Sequence, residues 1–299
     1  MADSTTSRVI LGLSEEVLPE LCSGYARMIY IDPPFNTGRR QARKSIRTVP
    51  DENGDRIGFK GRRYSSEVVS RMHYADSVDD YATFIGPFLA EAHRLLDESG
   101  TLYLHLDYRE VHYAKVMCDG IFGRKNFLNE IIWAYDYGGR PKRRWPAKHD
   151  NILVYAKDLD RYHFDSAEVE REPYMAPGLV TAEKAALGKL PTDVWWHTIV
   201  SPTGREKTGY PTQKPLGILR RMISASTRPG DRVLDFFAGS GTTGEAAWVL
   251  GRDFTLVDAS LQAFEVMRSR LDQTGAGFEI HASAAKGSPS DHPGNAMGR

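Results

Sequence analysis

The chain has 299 residues, of which 41% are hydrophobic and 26% charged, a composition typical of a globular protein with a hydrophobic core. Its 39 lysines and arginines balance 39 aspartates and glutamates, so the net charge favours no class of charged partner. No apolar run reaches transmembrane length, the first residues lack an apolar signal segment, and two distant cysteines give no disulfide framework. We therefore expect an intracellular, cytoplasmic protein, with Cys22 and Cys118 as small core residues.

The first half of the chain alternates short apolar runs with helical periodicity. The runs RVILG and RMIYI are predicted strands, and the apolar face of Phe88, Leu89, Ala92, Leu95 and Leu96 predicts a helix within 79–98. A short helix is expected over 109–119, and further strands over 100–106, 127–135 and 151–158. This alternation is typical of an α/β fold.

The second half begins with an irregular region. Residues 159–208 have weak periodicity and many Pro, Gly and charged residues, which predicts an insertion. After this region, YPTQKP is predicted to begin a helix. The strand RVLDFFAG, a helix over 242–250 and the strand FTLVDAS then form a βαβ unit. From 275 to 299 the chain is rich in Gly, Ala, Ser and Pro, so we expect a mobile tail.

The stretch YIDPPFNTG places an acid, two prolines and an aromatic residue directly after an apolar strand. Because proline donates no backbone hydrogen bond, Pro33 and Pro34 must end the strand and fix the direction of the chain. Asp32 and Phe35 are then held at a strand end, where open α/β sheets bind their ligands. An ordinary turn that contains Asp and Pro is the alternative.

The stretch VLDFFAGSGTTG joins a strand to a helix through a glycine turn. Gly239 and Gly241 let a ligand approach the backbone, and Asp258, at the end of the next strand, is placed to bind ribose hydroxyls. The literal G-x-G-x-x-G match keeps a nicotinamide dinucleotide open. Asp235, just before the turn, would repel a pyrophosphate but could bind an ammonium group, which favours S-adenosylmethionine.

Basic residues concentrate in two segments that also contain Gly or Pro and are predicted to be loops. Between Arg39 and Arg71, ten basic residues face four acidic ones, and GGRPKRRWPAKHD is a second cluster. Such loops could follow a phosphate backbone, although a solvated surface is the alternative. The candidate DNA-binding residues are Arg39, Arg40, Arg43, Lys44, Arg140, Lys142, Arg143, Arg144 and Lys148.

Three motifs in a fixed order give the chain a family resemblance. DPPF (32–35), YPTQKP (210–215) and FAGSG (237–241) resemble the amino-methylating DNA methyltransferases of the permuted β class, over about residues 8–272. The chain is also similar to the modification subunits of type III restriction systems. It departs from the family pattern by Phe35 for tyrosine, Tyr210 where histidine is common and Asp258 where glutamate is frequent.

The resemblance implies a Rossmann-like, circularly permuted, S-adenosylmethionine-dependent methyltransferase fold, with a mixed, mainly parallel sheet and helices on both faces. It assigns 1–158 to a catalytic half, 159–208 to target recognition and 209–274 to a cofactor-binding half. The implied catalytic residues are Asp32, Pro33, Pro34 and Phe35. The implied cofactor-binding residues are Asp235, Phe237, Ala238, Gly239, Ser240, Gly241, Thr242, Thr243 and Asp258, with Thr212, Gln213 and Lys214.

The expected activity is methylation of adenine N6 in double-stranded DNA by base flipping, because the aspartate form of the motif usually goes with adenine in this family. Methylation of cytosine N4 is the alternative within the family. A second alternative is a methyltransferase that acts on RNA or on a protein glutamine. The alternative from another class is a nicotinamide-dependent oxidoreductase. No metal site is predicted, since no paired ligand spacing occurs. A homodimer, a restriction partner and a nucleoid location are left open by the resemblance.

Overall fold

A computed structural model describes residues 6–35, 39–50, 56–57, 63–76, 80–201 and 204–282, and between 36 and 79 it describes only the course of the backbone. The strands are β1 (Arg8–Leu11), β2 (Ala26–Ile31), β3 (Arg39–Pro50), β4 (Arg56–Ile57), β5 (Arg63–Asp76), β6 (Leu96–Leu106), β7 (Phe127–Ala134), β8 (His149–Ala156), β9 (Val194–Trp196), β10 (Arg232–Asp235), β11 (Asp253–Asp258) and β12 (Glu279–Ala282). The helices are α1 (Ser14–Val17), α2 (Tyr81–Leu95), α3 (Val111–Cys118), α4 (Ala182–Leu187), α5 (Leu216–Ser226), α6 (Thr242–Val249) and α7 (Leu261–Thr274).

A nine-stranded sheet in the order β12-β1-β11-β10-β2-β6-β8-β7-β9 organises these elements. The strands from β12 to β6 run parallel, β8 is antiparallel to both β6 and β7, and β9 is parallel to β7. The predicted α/β fold with a mixed, mainly parallel sheet is therefore confirmed.

Two hydrophobic cores cover the two faces of this sheet. In β2, Ile29 and Ile31 pack into one core with the buried faces of α2 and α3, whereas Met28 and Tyr30 pack into the other with α5, α6 and α7. This alternation follows from the two-residue period of a strand. A strand that is apolar on both faces, such as RMIYI, is typical of the buried centre of an α/β sheet.

The strand that leads to Asp32 and the strand that leads to Asp235 are neighbours in the sheet. β2 and β10 pair in parallel, with Met28 beside Val233 and Ile29 beside Leu234. From β10 the chain continues to β11 on one side of the pair, and from β2 it continues toward β6 on the other side. The strand order therefore reverses between β10 and β2. Loops that leave the carboxyl ends of two such strands diverge and open a crevice between them.

Two parts of the chain differ from the sequence expectation. The basic segment predicted as a loop forms strands β3 and β5, an antiparallel pair joined by β4 into a separate three-stranded sheet. The sequence of this segment has no regular alternation of apolar and polar residues, so no strand pattern marks it, although backbone pairing does not depend on that pattern. Within the expected mobile tail, β12 pairs with β1 at the sheet edge; residues from 283 onward lie outside the described part.

Cys118 lies in the core as expected, but the prediction for Cys22 is wrong, because Cys22 is exposed in the turn before β2. Helix α7, which ends at Gly275 in a left-handed conformation, was not predicted, since its exposed face carries many polar residues. Among the described helices, none is both long and apolar enough to cross a membrane.

The segment 159–208 starts at the amino ends of the parallel strands and ends at their carboxyl ends. Near its start, at the amino end of β6, Arg161 pairs with Glu98 at 3.3 Å, and the N–H of Asp165 donates to the carbonyl of Ala225 at the end of α5. β9 then runs parallel to β7 and carries the chain back to the carboxyl edge. Only this returning part of the insertion lies on the same edge as the crevice.

Candidate active site

A cavity of about 380 Å³ occupies the crevice at the carboxyl ends of β2 and β10. Its volume lies in the range of small-molecule sites. The lining comes from all three sequence motifs: Asp32, Pro33, Pro34 and Phe35; Tyr210, Thr212 and Lys214; Asp235, Phe237, Ala238, Gly239, Ser240, Thr242 and Thr243, together with Asp258. Segments that lie about 200 residues apart in the chain therefore meet in one site.

Asp32 has one oxygen paired and one oxygen unpaired. Its Oδ2 accepts a short hydrogen bond from Nζ of Lys214, and this ion pair joins the DPPF and YPTQKP motifs. Oδ1 is buried and has no hydrogen-bond partner among the described residues. Since a buried carboxylate oxygen without a donor is costly, the geometry suits a ligand that brings an N–H or O–H group to this oxygen.

Phe35 presents a half-buried ring at the mouth of the same cavity. The ring is backed by the imidazole of His105, whose centroid lies 5.9 Å away, and Nζ of Lys214 lies 4.9 Å from the phenyl centroid. An aromatic ring held in this way offers a face on which a planar ligand can stack.

The glycine turn brings α6 close to its neighbours. Gly239 and Gly241 have φ angles of +50° and +72°, which glycine adopts without strain. A Cβ atom on Gly241 would lie 2.7 Å from Cγ of Met267, and one on Gly244 would lie 2.6 Å from Cδ1 of Leu256. The conformation of the turn and the packing of α6 therefore require these three glycines, apart from any role in ligand binding.

Asp258 ties the end of β11 to the glycine turn. Its Oδ2 accepts the N–H of Gly239 and its Oδ1 accepts the N–H of Ser260, both at 2.8 Å. Burial raises the pKa of Asp258, while these two backbone hydrogen bonds act in the opposite direction. Each oxygen can accept a second hydrogen bond, so a ligand with hydroxyl donors can still bind this carboxylate.

Asp235 is almost fully buried at the floor of the cavity. It accepts hydrogen bonds from the Thr243 hydroxyl at 2.6 Å and from the N–H of Phe237 at 3.0 Å. Burial is the main reason that the pKa of Asp235 is raised to about 7. The two hydrogen bonds lower this pKa, whereas the negative charges of Asp32 and Asp258 raise it further. Three carboxyl groups in one cavity favour a cationic ligand and oppose a pyrophosphate.

Two of the predicted cofactor residues do not line the cavity. Gln213 directs its side chain at the preceding loop, where Oε1 accepts from the N–H and hydroxyl of Thr208 and Nε2 donates to the carbonyl of Glu206. Gly241 caps α6 behind the turn. Thr212 does line it, with a φ of +58° that is unusual for threonine, as expected where a loop is held in one conformation.

Tyr30 lines the cavity but was not among the predicted residues. It lies two positions before Asp32, and the two-residue period of a strand places both side chains on one face. That period is the signal from which Tyr30 could have been found.

The second basic cluster forms the loop between β7 and β8, on the same edge of the sheet as the cavity. Two of its predicted residues hold the loop itself: Arg140 pairs with Asp136 at 2.8 Å, and Nζ of Lys148 donates to the carbonyls of Tyr137 and Gly138. Residues 142–145 are exposed, with the indole of Trp145 93% accessible. The other candidates, Arg39, Arg40, Arg43 and Lys44, fall on β3, where side chains lie outside the description.

The comparisons with known proteins agree with this geometry. The DNA adenine methyltransferase YhdJ of Escherichia coli (strain K12) is 32% identical over 253 residues, which are 82% of this chain and 76% of that protein. The type II methyltransferase M.HpaI of Haemophilus parainfluenzae is 27% identical over 95% of this chain and 80% of its own length.

The solved structures show the fold at lower sequence identity. TTHA0409 of Thermus thermophilus, described as a DNA modification methylase and solved with S-adenosyl-L-methionine, superposes with a TM-score of 0.57 at 19% identity, over 94% of this chain and 100% of its own. The predicted S-adenosylmethionine-dependent methyltransferase fold is thereby confirmed. A family model described as DNA methylase, covering N6 and N4 methyltransferases, matches residues 26–269, and the chain belongs to that family.

Proposed function

We propose that this protein methylates N6 of adenine in double-stranded DNA, with S-adenosylmethionine as the methyl donor. The observation that carries this proposal is Asp32, whose buried Oδ1 has no donor among the described residues, at the end of a strand and beside the half-buried ring of Phe35. The adenine preference is supported by the aspartate at this position and by the similarity to an enzyme described as a DNA adenine methyltransferase. Methylation of cytosine N4 is the alternative.

The clamp formed by residues 32–35 suits an exocyclic amine. The lone pair of such an amine is delocalised into the ring, so the nitrogen is a poor nucleophile. When Asp32 Oδ1 and the carbonyl of Pro33 accept its two hydrogens, the nitrogen moves toward tetrahedral geometry and its lone pair becomes available. The base must leave the duplex to reach this site, and it can stack on Phe35.

The cavity residues fit the cofactor. Asp235 suits its ammonium group, Asp258 its ribose hydroxyls, and Phe237 its adenine ring. The cofactor supplies a methyl group already activated on a sulfonium centre, so the protein provides mainly alignment and electrostatics. The same three carboxylates disfavour a nicotinamide dinucleotide, because its pyrophosphate would face negative charge.

Lys214 holds one oxygen of Asp32 within the clamp. Its ammonium group binds Oδ2, so Oδ1 is the oxygen left to accept the amine N–H. We therefore assign Lys214 to the catalytic clamp as well as to the predicted cofactor site.

DNA contacts are proposed for the loop between β7 and β8 and for the returning part of the insertion. Lys142, Arg143 and Arg144 are exposed beside the exposed Trp145, on the edge that holds the cavity. Charges of this kind bind phosphates, and we assign base contacts to the returning part, up to 208. Binding of chromosomal DNA would locate the protein at the nucleoid.

The activity is tested with purified protein, tritium-labelled S-adenosylmethionine and duplex DNA of mixed sequence, followed by digestion to nucleosides. We expect the label in N6-methyladenosine, and no label when Asp32→Ala replaces the wild-type protein. Label in N4-methylcytosine would support the alternative, and the absence of label from DNA would contradict the proposal.

A further inference from the structure

A chain of buried polar side chains leads away from the cavity, and the clamp chemistry does not use it. The Tyr30 hydroxyl lies 2.8 Å from Nδ1 of His105, and Nε2 of His105 lies 3.2 Å from Oδ2 of Asp150. The hydroxyl of Tyr135 donates to Oδ1 of Asp150 at 2.9 Å. His105 is fully buried and Tyr30 2% exposed, so both imidazole nitrogens are bonded out of contact with water.

These residues form one row across the face of the sheet that holds Asp32. Tyr30 lies on β2 and His105 on β6, while Asp150 and Tyr135 lie at the start of β8 and just after β7. Each lies near the carboxyl edge of the parallel strands. The row starts in the cavity and ends at the base of the basic loop.

The carboxylate of Asp150 sets the direction of the hydrogen bonds in the row. Burial alone raises the pKa of Asp150, but the hydrogen bonds from His105 and Tyr135 and the charge of Lys214 bring it below its ordinary value. A carboxylate only accepts, so Nε2 of His105 carries a proton and donates it. In the neutral imidazole, Nδ1 is then an acceptor, and it receives the Tyr30 hydroxyl.

Tyr30 lines the cavity, and a hydroxyl that donates to His105 can still accept a hydrogen bond. The pKa of Tyr30 is raised well above its ordinary value by burial and by the charges of Asp32, Asp235 and Asp150. Tyr30 therefore stays neutral, and it can take a proton only by passing its own to His105. The other groups near the imidazole are the rings of Phe35 and Trp133.

The reaction requires such an acceptor because each methylated amine must lose one proton. Asp32 is a poor final acceptor, since protonation would neutralise a carboxylate that Lys214 holds in an ion pair. We propose that Tyr30, His105 and Asp150 form a relay that takes up this proton, with His105 as its acceptor. The proposal rests on the amine methylation proposed above.

The relay conserves atoms and charge. As the amine nitrogen bonds to the methyl carbon, it breaks one N–H bond and keeps that electron pair, and the proton bonds to Oη of Tyr30. The original O–H bond of Tyr30 breaks, its electron pair stays on oxygen, and that proton bonds to Nδ1 of His105. Tyr30 ends neutral, and the imidazolium faces the Asp150 carboxylate.

The first test compares Tyr30→Phe with Tyr103→Phe in single-turnover methylation of prebound duplex DNA. Tyr103 is an equally buried tyrosine, 3% exposed, whose hydroxyl bonds to Ser226 at 2.7 Å away from the cavity. We expect Tyr30→Phe to slow transfer by roughly 100-fold or more, the scale of general acid–base catalysis, at unchanged DNA affinity. Tyr103→Phe should keep the wild-type rate; equal rates for Tyr30→Phe and wild type would overturn the relay.

The pH dependence gives a second readout that a purely structural role would not change. The wild-type rate should fall in acid, because a relay that already carries a proton cannot take up another, whereas Tyr30→Phe should be slow at every pH. An unchanged acid limb in Tyr30→Phe would count against the relay. If wild-type protein transfers no methyl group at all, the proposed function fails instead, so the two failures are distinguishable.

The third test measures the position of the His105 proton in the wild-type protein. Nitrogen-15 NMR of the wild-type protein, with the His105 signal identified by its loss in His105→Gln, should show the proton on Nε2. In Asp150→Asn the amide donates to Nε2, so the proton should move to Nδ1 and transfer should be slow. A wild-type protein with the proton on Nδ1 would contradict the relay.

Discussion

The three carboxyl groups of the cavity differ in what surrounds each oxygen, and this difference assigns their roles. Asp258 is bonded to two backbone N–H groups, Asp235 to Thr243 and a backbone N–H, and Asp32 to Lys214 alone. Only Asp32 has a buried oxygen without a donor among the described side chains. We therefore propose that Asp32 is the carboxylate that binds a substrate group, whereas the other two shape the cofactor site.

Replacement of Asp32 and of Asp258 by alanine should separate transfer from binding. Asp32→Ala should slow methyl transfer by roughly 100-fold or more, the loss typical of a deleted preorganised polar group, with nearly unchanged cofactor affinity. Asp258→Ala should weaken cofactor binding by roughly 1.5–3 kcal/mol. Calorimetry and single-turnover rates check both variants, and the reverse pattern would mean that the two roles are exchanged.

Cofactor affinity should depend on pH through Asp235. Since burial raises the pKa of this carboxyl to about 7, its contribution to folding stability is complete at low pH and is lost as the pH rises through 7. Affinity for a cation has the opposite sign, because binding requires the carboxylate. We expect affinity to rise with pH up to about 7 and then level off, with proton release on binding.

Calorimetry in buffers of different ionisation enthalpy measures that proton release directly. Asp235→Asn, which keeps the size of the side chain but cannot titrate, should bind weakly and without this pH dependence. If the asparagine variant kept the wild-type dependence, another group would have to carry it.

At the scale of elements, the site depends on how closely α6 approaches β11. A methyl group on Gly244 would lie 2.6 Å from Leu256 and 3.4 Å from Phe254, two side chains with no exposed surface. Gly244→Ala should lower the free energy of unfolding by about 1–3 kcal/mol, the usual cost of overpacking. Gly120→Ala, where nothing lies within 4 Å of the added methyl group, is the matched control in denaturant titrations. Equal stability of the two variants would contradict this packing role.

The loop between β7 and β8 should supply part of the phosphate binding. Arg143→Ala with Arg144→Ala should weaken binding of all duplexes about equally and reduce the slope of log affinity against log salt by up to about two units. The matched control is Arg124→Ala with Lys125→Ala, two exposed charges at the other end of β7. A salt slope that both double variants leave unchanged would assign DNA binding to another surface.

The strands and helices that the sequence predicted are those with a clear period. The buried strands β2, β6 and β8 and the helix α2 were found because their apolar residues recur at fixed spacing. The pair β3 and β5 was missed, because its sequence has no regular apolar alternation and only backbone pairing defines it. Asp32 and the glycine turn were found from local chemistry, but the contact of Lys214 with Asp32 depends on the meeting of distant segments.

At the scale of the whole molecule, the two halves of the chain are interleaved in one sheet. β1 and β2 from the first half flank β11 and β10 from the second, and β12 returns to pair with β1. The catalytic motif and the cofactor motif therefore meet only when the complete sheet has formed. The order of motifs along the chain could be predicted from the sequence. The interleaving of the two halves could not, because it depends on which strands pair.

Single-molecule sequencing of DNA shows whether the Asp32 clamp methylates adenine N6. The DNA is taken from a methylation-free bacterial host that produces either the wild-type chain or Asp32→Ala at equal levels. We predict N6-methyladenine at one recurrent sequence in the wild-type sample and no such modification with Asp32→Ala. N4-methylcytosine in its place, or the same modification in both samples, would contradict the account.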